Sequence, residues 1–297
     1  MDLIDSVAMQ KVPTDSFLGP NKGRLKSVRH VVLDMDGTIY LGGRLFAETL
    51  PFLATLKELG IGWDFLTNNN SKSRADYVES LGQMGIVVEA EQVVMSTDAC
   101  VATLRRDYPE VRRIFVLGTS GMKKDLGGAG FEVVSEEGCD AVVVGYDTSL
   151  NYESLCRAAY WIGQGKPYLA THPDLVCPTE MKTILPDCGA ICALLESATG
   201  RKPDQVSGKP NPAILEAVMN RRGLTAGEVV MVGDRIYTDM RMAREAGVLG
   251  ALTLTGEATR DEATRDEATA LASAPDLIIN DLGELEALLR SSRSIPL

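Results

Sequence analysis

Histidine is nearly absent from this 297-residue sequence, which contains only His30 and His172. The six cysteines, at 100, 139, 156, 177, 188 and 192, include no CxxC pair. Cys188 and Cys192 lie closest together, but they lack the neighbouring Cys and His ligands that a structural zinc site needs. A chain of this length has no need of disulfide staples, so reduced thiols in a cytoplasm are the expectation. Positive charge is also short, with a formal net charge of −11. That balance argues against a nucleic acid polymer or an anionic membrane as the partner. No apolar run approaches the length of a membrane span. Residues 1–27, broken by Pro13, Gly19 and Pro20, lack the apolar h-region of a secretory signal and are expected to form a loosely attached extension. What the chain does have is 45% hydrophobic residues, enough for a sizeable core.

The stretch VVLDMDGTIYLGG (31–43) stands out. Val31 to Leu33 form an apolar run without alternation, as in a strand buried on both faces, and the run ends at Asp34 and Asp36. In open parallel sheets, ligands bind beyond the carboxyl ends of the strands. Gly37 and Thr38 permit a tight turn whose N–H groups can face an anion. Two carboxylates so close repel unless they share a cation or one holds a proton. The pattern therefore suggests Mg²⁺ and an aspartate nucleophile. A solvated turn would use the same residue types.

The design recurs along the chain. FAETLPFLATLKELG (46–60) has helical spacing closed by Gly60, and IGWDFLTNNN reads as a strand ending in Thr67, Asn68, Asn69 and Asn70. The following helix, with Ser71 or Ser73 as its cap, places an N-terminus beside that polar tip, a natural site for an anion. Residues 97–205 carry enough further strand and helix units for a domain of their own. Within it Tyr160 and Trp161 are expected in the core, and His172, in ATHPDL, is expected to hold its loop or face a substrate. Lys209 lies between Gly208 and Pro210 just before a helix. In EVVMVGDRIYTD a second buried strand ends at Asp234, and Asp239 is expected to begin a helix. Either aspartate could be a simple N-cap, but with Asp34 and Asp36 they make an acidic cluster that needs a cation. ATRDE occurs twice in tandem near residue 260, which predicts a charged helical surface.

DMDGT, LTNNN, GKP and GDRIYTD together, in that order, resemble the four motifs of haloacid dehalogenase-like (HAD) phosphatases, and their spacing is similar to the NagD-like, 4-nitrophenylphosphatase subfamily. The likeness runs from about residue 28 to 290. It implies an α/β fold with a doubly wound, Rossmann-like parallel-sheet core at 28–96 and 206–290. A large α/β cap domain at 97–205 would be inserted in it, with a tail at 291–297. It implies Asp34 as nucleophile, Asp36 as general acid and base, Lys209 as the third-motif lysine, and Gly37, Thr67, Asn68 and Asn69 around the phosphate. Mg²⁺ would be held by Asp34, Asp234, Asp239 and the Asp36 carbonyl. Cap residues His172, Asp174, Gly189 and Ala190 would face the substrate, although an asparagine is more usual at position 172.

The function expected is Mg²⁺-dependent hydrolysis of a small cytoplasmic phosphomonoester, such as a nucleotide, a sugar phosphate or phosphoglycolate, by a protein that family analogy makes a homodimer or higher oligomer. The rival readings are a phosphotransferase or mutase using the same aspartyl phosphate, and a non-catalytic phosphometabolite binder.

Overall fold

The structure is a computed structural model describing residues 20–136, 138–179, 182–264 and 273–293. Most of the expected extension and most of the second ATRDE copy lie outside the described residues. Residues 20–27 correct part of the sequence reading. Instead of hanging loosely they form a 3₁₀ turn, Pro20–Ser27, with Leu25 fully buried in the core and Arg24 donating to the Gly247 carbonyl at 3.0 Å.

In chain order, β1 (His30–Asp34) leads to an antiparallel ribbon of β2 (Tyr40–Leu41) and β3 (Arg44–Leu45). Then come α1 (Thr49–Glu58), β4 (Gly62–Thr67), α2 (Arg74–Gln83), β5 (Val93–Met95) and α3 (Ser96–Asp107). The middle of the chain forms β6 (Arg113–Leu117), α4 (Ser120–Gly128), β7 (Glu132–Val134), β8 (Ala141–Val144), α5 (Tyr152–Gly163) and β9 (Tyr168–Ala170). It continues through the ribbon of β10 (Val176–Cys177) and β11 (Leu185–Pro186) to α6 (Cys188–Thr199) and β12 (Gln205–Val206). The last part contributes α7 (Ala213–Arg222), β13 (Val229–Gly233), a π-helical turn Ile236–Met240, α8 (Arg241–Glu245) and β14 (Leu249–Thr253). It ends with α9 (Arg260–Thr264), β15 (Leu277–Ile279) and α10 (Leu282–Arg293). Asp239 thus sits inside the π turn ahead of α8 rather than opening an α-helix.

The strands assemble into two parallel sheets. One has the order β15-β14-β13-β1-β4-β5 and the other β12-β9-β8-β6-β7. The reason lies in the sequence: HVVLD, VVMVG and AVVV are buried at every position, as strands covered on both faces must be. From β1 the chain winds outward one way through β4 and β5 and later the other way through β13, β14 and β15. That reversal opens a crevice at the carboxyl ends of β1, β4 and β13. One apolar cluster under the first sheet joins Leu33, Phe52, Phe65 and Leu285; a separate one in the second sheet joins Leu117, Val142, Ile162 and Leu195. Tyr160 departs from expectation. It is 57% exposed on α5, edge-on to Trp161 with ring centroids 4.8 Å apart, and only Trp161 packs on the core. No helix among the described residues is long and apolar enough to cross a membrane.

Candidate active site

Asp34 is the last residue of β1, and its carboxylate is buried. The chain then turns at Gly37, whose φ of +85° suits glycine. A Cβ there would also collide with the Asp234 carboxylate, so the DMDGT loop can approach β13 only without one. Lys209 arrives from the opposite side and donates from Nζ to Asp34 Oδ1 and, at 2.7 Å, to Asp239 Oδ1. Its backbone is clasped by Asn68 at the tip of β4: Asn68 Oδ1 accepts from the Lys209 N–H at 2.9 Å, and Asn68 Nδ2 donates to the Lys209 carbonyl at 3.1 Å. The Lys209–Pro210 peptide bond is cis.

Asp34, Asp234 and Asp239 are all buried, and they offer ligand oxygens within 4.8 Å of one another. The electrostatics are crowded. Burial and the Asp34 charge push Asp36 up to about 6. Burial and Asp34 likewise push Asp239 up to about 6 against the pull of Lys209. Burial, Asp34 and Asp239 hold Asp234 well above the usual carboxylate range. Lys209 is buried at a cost to its charge, yet Asp239 and Asp34 outweigh that and hold it above an ordinary lysine. Asp234 Oδ2 accepts from the Glu257 N–H at 2.7 Å, whereas its buried Oδ1 has no hydrogen-bond partner among the described residues. Gly256 also closes on this carboxylate so tightly that a Cβ would clash. A hard divalent cation fits such an oxygen-only cradle with one acceptor unspent.

The LTNNN tip divides its duties. Asn68 faces the cleft. Asn70 is structural: its Nδ2 donates to Thr171 Oγ1 at 2.7 Å and its Oδ1 accepts from the Tyr146 N–H at 3.0 Å. Asn69 Oδ1 braces Ser71 and its Nδ2 reaches Cys177 Sγ at 3.6 Å. The expectation that α2 would present free N–H groups to an anion is corrected. Ser73 and Asp76 form a reciprocal capping box, and the Arg74 N–H is taken by Asp125 Oδ2 at 2.9 Å. The Thr67 hydroxyl and the DMDGT turn are left to meet an anion, because both N–H bonds of the Asn68 amide are spent on the Lys209 carbonyl and Asp174 Oδ2.

A narrow cleft lies between the two sheets. Asp34, Asp36, Thr67, Asn68, Asn69 and Lys209 line one side, and Asp174, Cys177, Pro178 and Asp187 the other, with Arg235 and Thr238 at the edge. Of the cap residues singled out from sequence, only Asp174 lines this space. His172 is fully buried, with Nε2 2.8 Å from Asp187 Oδ1 and Nδ1 2.9 Å from Thr171 Oγ1. Burial works against its charge, but Cys188, Asp187 and Asp174 push it up to about 9. His172 therefore acts on the cleft only by holding Asp187. Gly189 packs under the 173–174 loop, where a Cβ would strike the Pro173 carbonyl, and Ala190 is half-buried on α6. Sequence reasoning missed Asp187 and Arg235. Asp187 caps α6, and that capping position, two residues before Gly189, was the available signal. Arg235 directly follows Asp234 and pairs with Asp174 at 3.4 Å and Glu257 at 2.8 Å.

With this geometry in view, comparison with known proteins is consistent across the chain. A model of haloacid dehalogenase-like hydrolases matches residues 31–132 and a HAD-hydrolase-like model matches 206–285. The acid sugar phosphatase of Staphylococcus aureus is 32% identical over 79% of this chain and 90% of its own. The 4-nitrophenylphosphatase of Thermotoga maritima superposes with a TM-score of 0.82 at 40% identity, over 89% of this chain and 98% of that one. A glycerol phosphate phosphatase of Mycobacterium tuberculosis, solved with magnesium, has a TM-score of 0.82 at 28% identity, over 92% of this chain and 81% of that one.

Proposed function

The chain belongs to the haloacid dehalogenase-like hydrolase family, among its NagD-like phosphatases, and we propose that it hydrolyses a small phosphomonoester through an aspartyl phosphate on Asp34, with Mg²⁺ as cofactor. The observation that carries this reading is the charge pattern at the tip of β1: one lysine Nζ shared between Asp34 and Asp239, beside an Asp234 oxygen that nothing among the described residues engages. Asp34, Asp234, Asp239 and the Asp36 carbonyl would hold Mg²⁺. When bound, it supplies the positive charge that lets a phosphoryl dianion come near these carboxylates.

In the first half-reaction the Asp34 carboxylate attacks phosphorus, and the bond from phosphorus to the leaving oxygen breaks as Asp36 delivers its proton to that oxygen. In the second, Asp36, now a carboxylate, takes a proton from water as the water oxygen attacks the same phosphorus and frees Asp34. A carboxyl pushed up to about 6 is well matched to giving and retaking a proton near neutrality. Lys209, with the Thr67 side chain and the turn at Gly37, neutralises and positions the transferring group, and Asn68 holds the Lys209 backbone in place. Residues 28–96 and 206–290 act as the catalytic core, and 97–205 as a cap whose Asp174 and Asp187 face the leaving group and whose closure excludes water. The scattered cysteines, each a free thiol, suit a cytoplasmic enzyme. The acid sugar phosphatase and glycerol phosphate phosphatase relatives point to hydroxylated leaving groups.

The test is release of 4-nitrophenol from 4-nitrophenyl phosphate. Mg²⁺ should support turnover and EDTA should abolish it, and Asp34→Asn should cost on the order of a thousandfold in kcat or more. Turnover that survives EDTA or Asp34→Asn rejects the mechanism.

A further inference from the structure

The cap wall of the cleft carries a second group of metal-ligating side chains, separate from the acidic cradle at the tip of β1. His172, Asp174 and Asp187 are all buried, and each offers a ligand atom within 4.8 Å of the other two. We infer that these three residues form a binding site for a transition-metal dication such as Zn²⁺, different in chemistry from the Mg²⁺ cradle on the core. Such a site does not depend on the phosphatase reading, because binding alone reveals it.

An unspent oxygen marks the place. Asp174 Oδ2 accepts from Asn68 Nδ2 at 3.0 Å and pairs with Arg235 Nη1 at 3.4 Å, whereas Oδ1 is buried with no hydrogen-bond partner among the described residues. A buried carboxylate oxygen in that state is costly until a donor or a cation reaches it. Asp174 and Asp187 both line the cleft, which gives a hydrated ion a way in. Behind Asp187, His172 Nε2 lies 2.8 Å from its Oδ1. The imidazole is already oriented for ligation: Nδ1 lies 2.9 Å from Thr171 Oγ1, and Asn70 Nδ2 fixes that hydroxyl at 2.7 Å. A ligating histidine donates its second N–H to such an oxygen, which sets the tautomer and the plane of the ring. The ion takes the place of the Nε2 proton, which leaves to solvent, while Nδ1 keeps its own proton for Thr171 Oγ1.

The donor set selects the metal. Asp34, Asp234 and Asp239 offer oxygen alone, which suits Mg²⁺. An imidazole nitrogen with two carboxylates suits Zn²⁺ and its first-row neighbours, with water from the cleft as fourth ligand. Two carboxylates and a neutral imidazole also balance the charge of a dication. Seated there, the ion ties the loop that carries His172 and Asp174 to the start of α6, which Asp187 caps. It would stand on the side of the cleft opposite Asp34 and Lys209 and narrow the space left for a leaving group.

Calorimetric titration of the full chain with Zn²⁺ in excess Mg²⁺ tests the site, and Co²⁺ absorption identifies its ligands. The Asp234→Asn chain, whose core cradle is disabled, should still bind one Zn²⁺. Adding His172→Asn or Asp174→Asn to it should weaken that binding by at least about tenfold. Asp174→Asn changes the shape of its side chain little, so it guards against a folding defect caused by replacing the buried His172. Co²⁺ in place of Zn²⁺ should show the visible bands of a nitrogen and oxygen site without thiolate charge transfer. Three results would overturn the inference. If Asp234→Asn abolishes Zn²⁺ binding, the ion sits in the core cradle. If both cap substitutions leave the affinity unchanged, these residues are not its ligands. If thiolate bands appear, the ion belongs to the cysteines.

Discussion

The two ends of β1 treat buried charge in opposite ways. At its start, His30 Nε2 lies 3.0 Å from Asp64 Oδ2 on β4, Arg222 donates to both oxygens of the same carboxylate, and Arg221 Nη2 reaches it at 3.4 Å. Burial alone would raise Asp64, but the bonds from His30 and Arg222 outweigh it and hold the carboxyl below its ordinary range. One carboxylate is met by several donors. At the other end four carboxylates, Asp34, Asp36, Asp234 and Asp239, surround the single Nζ of Lys209, and three of them are raised. The satisfied end does structural work. The other end gathers more acceptors than donors, and such imbalance is the mark of a site that spends stability on function.

Removing Lys209 breaks the comparison most severely. Lys209→Met keeps the length of the side chain and deletes its charge, so phosphoryl transfer should slow by on the order of a thousandfold. Steady-state assay at saturating Mg²⁺ checks this, and a loss below tenfold would show that the lysine is not needed to neutralise the reacting group. A smaller contrast comes from the same amide substitution made at each end. Asp64→Asn strips Arg221 and Arg222 of their counter-charge and weakens the contact with His30. It should destabilise by about 2 kcal/mol, a figure discounted because both arginines are partly exposed. Asp234→Asn removes a raised carboxylate from a crowd, so the metal-free protein should gain about 1 kcal/mol while losing its Mg²⁺ response. Urea unfolding in EDTA reads both signs, and two shifts of the same sign would end the distinction.

These contrasts also explain what could be read beforehand. The buried parallel strands and the placement of Asp34, Thr67 and Asp234 at strand ends were legible, because VVL, FLT and VVMV are apolar runs that stop abruptly at polar residues, whereas the strand order was not. The Asp64 cluster was not legible. Its members come from β1, β4 and the end of α7, and an aspartate in IGWDFL looks like any strand polar residue until His30 faces Gly62 across the register. There the glycine leaves room for the imidazole, which a Cβ would strike. The link between Asp174, Asn68 and Arg235 escaped for the same reason, since its two contacts join residues 106 and 61 positions apart. Asn70 resembled its neighbours in sequence, yet only the fold brings it to Thr171 and Tyr146. His172 was placed in the right loop. Its direction depended on Asp187, a partner that side-chain spacing does not reveal.

The smallest expected effect is the most general, because it sets the two ends against each other in one titration. Unfolded carboxyls titrate near 4, and Asp36 and Asp239 are each pushed up to about 6 in the fold. Between those values the folded chain holds more protons than the unfolded one, so stability falls as pH rises through the window. Asp64 is shifted the other way, so its contribution is complete above about pH 4 and is lost only below it. His172, pushed up to about 9, loses its contribution only as pH rises from about 6.5 through 9. In EDTA, unfolding free energy should therefore drop by on the order of 1 kcal/mol between about pH 4.5 and 6.5. Mg²⁺ should flatten that drop, because a bound cation favours the ionised carboxylates of the fold. Asp36→Asn should remove part of it, and Asp64→Asn should lower the whole curve without changing its slope. A metal-free protein whose stability rises across this window would mean that the carboxylates at the tip of β1 are as well satisfied as the one at its base.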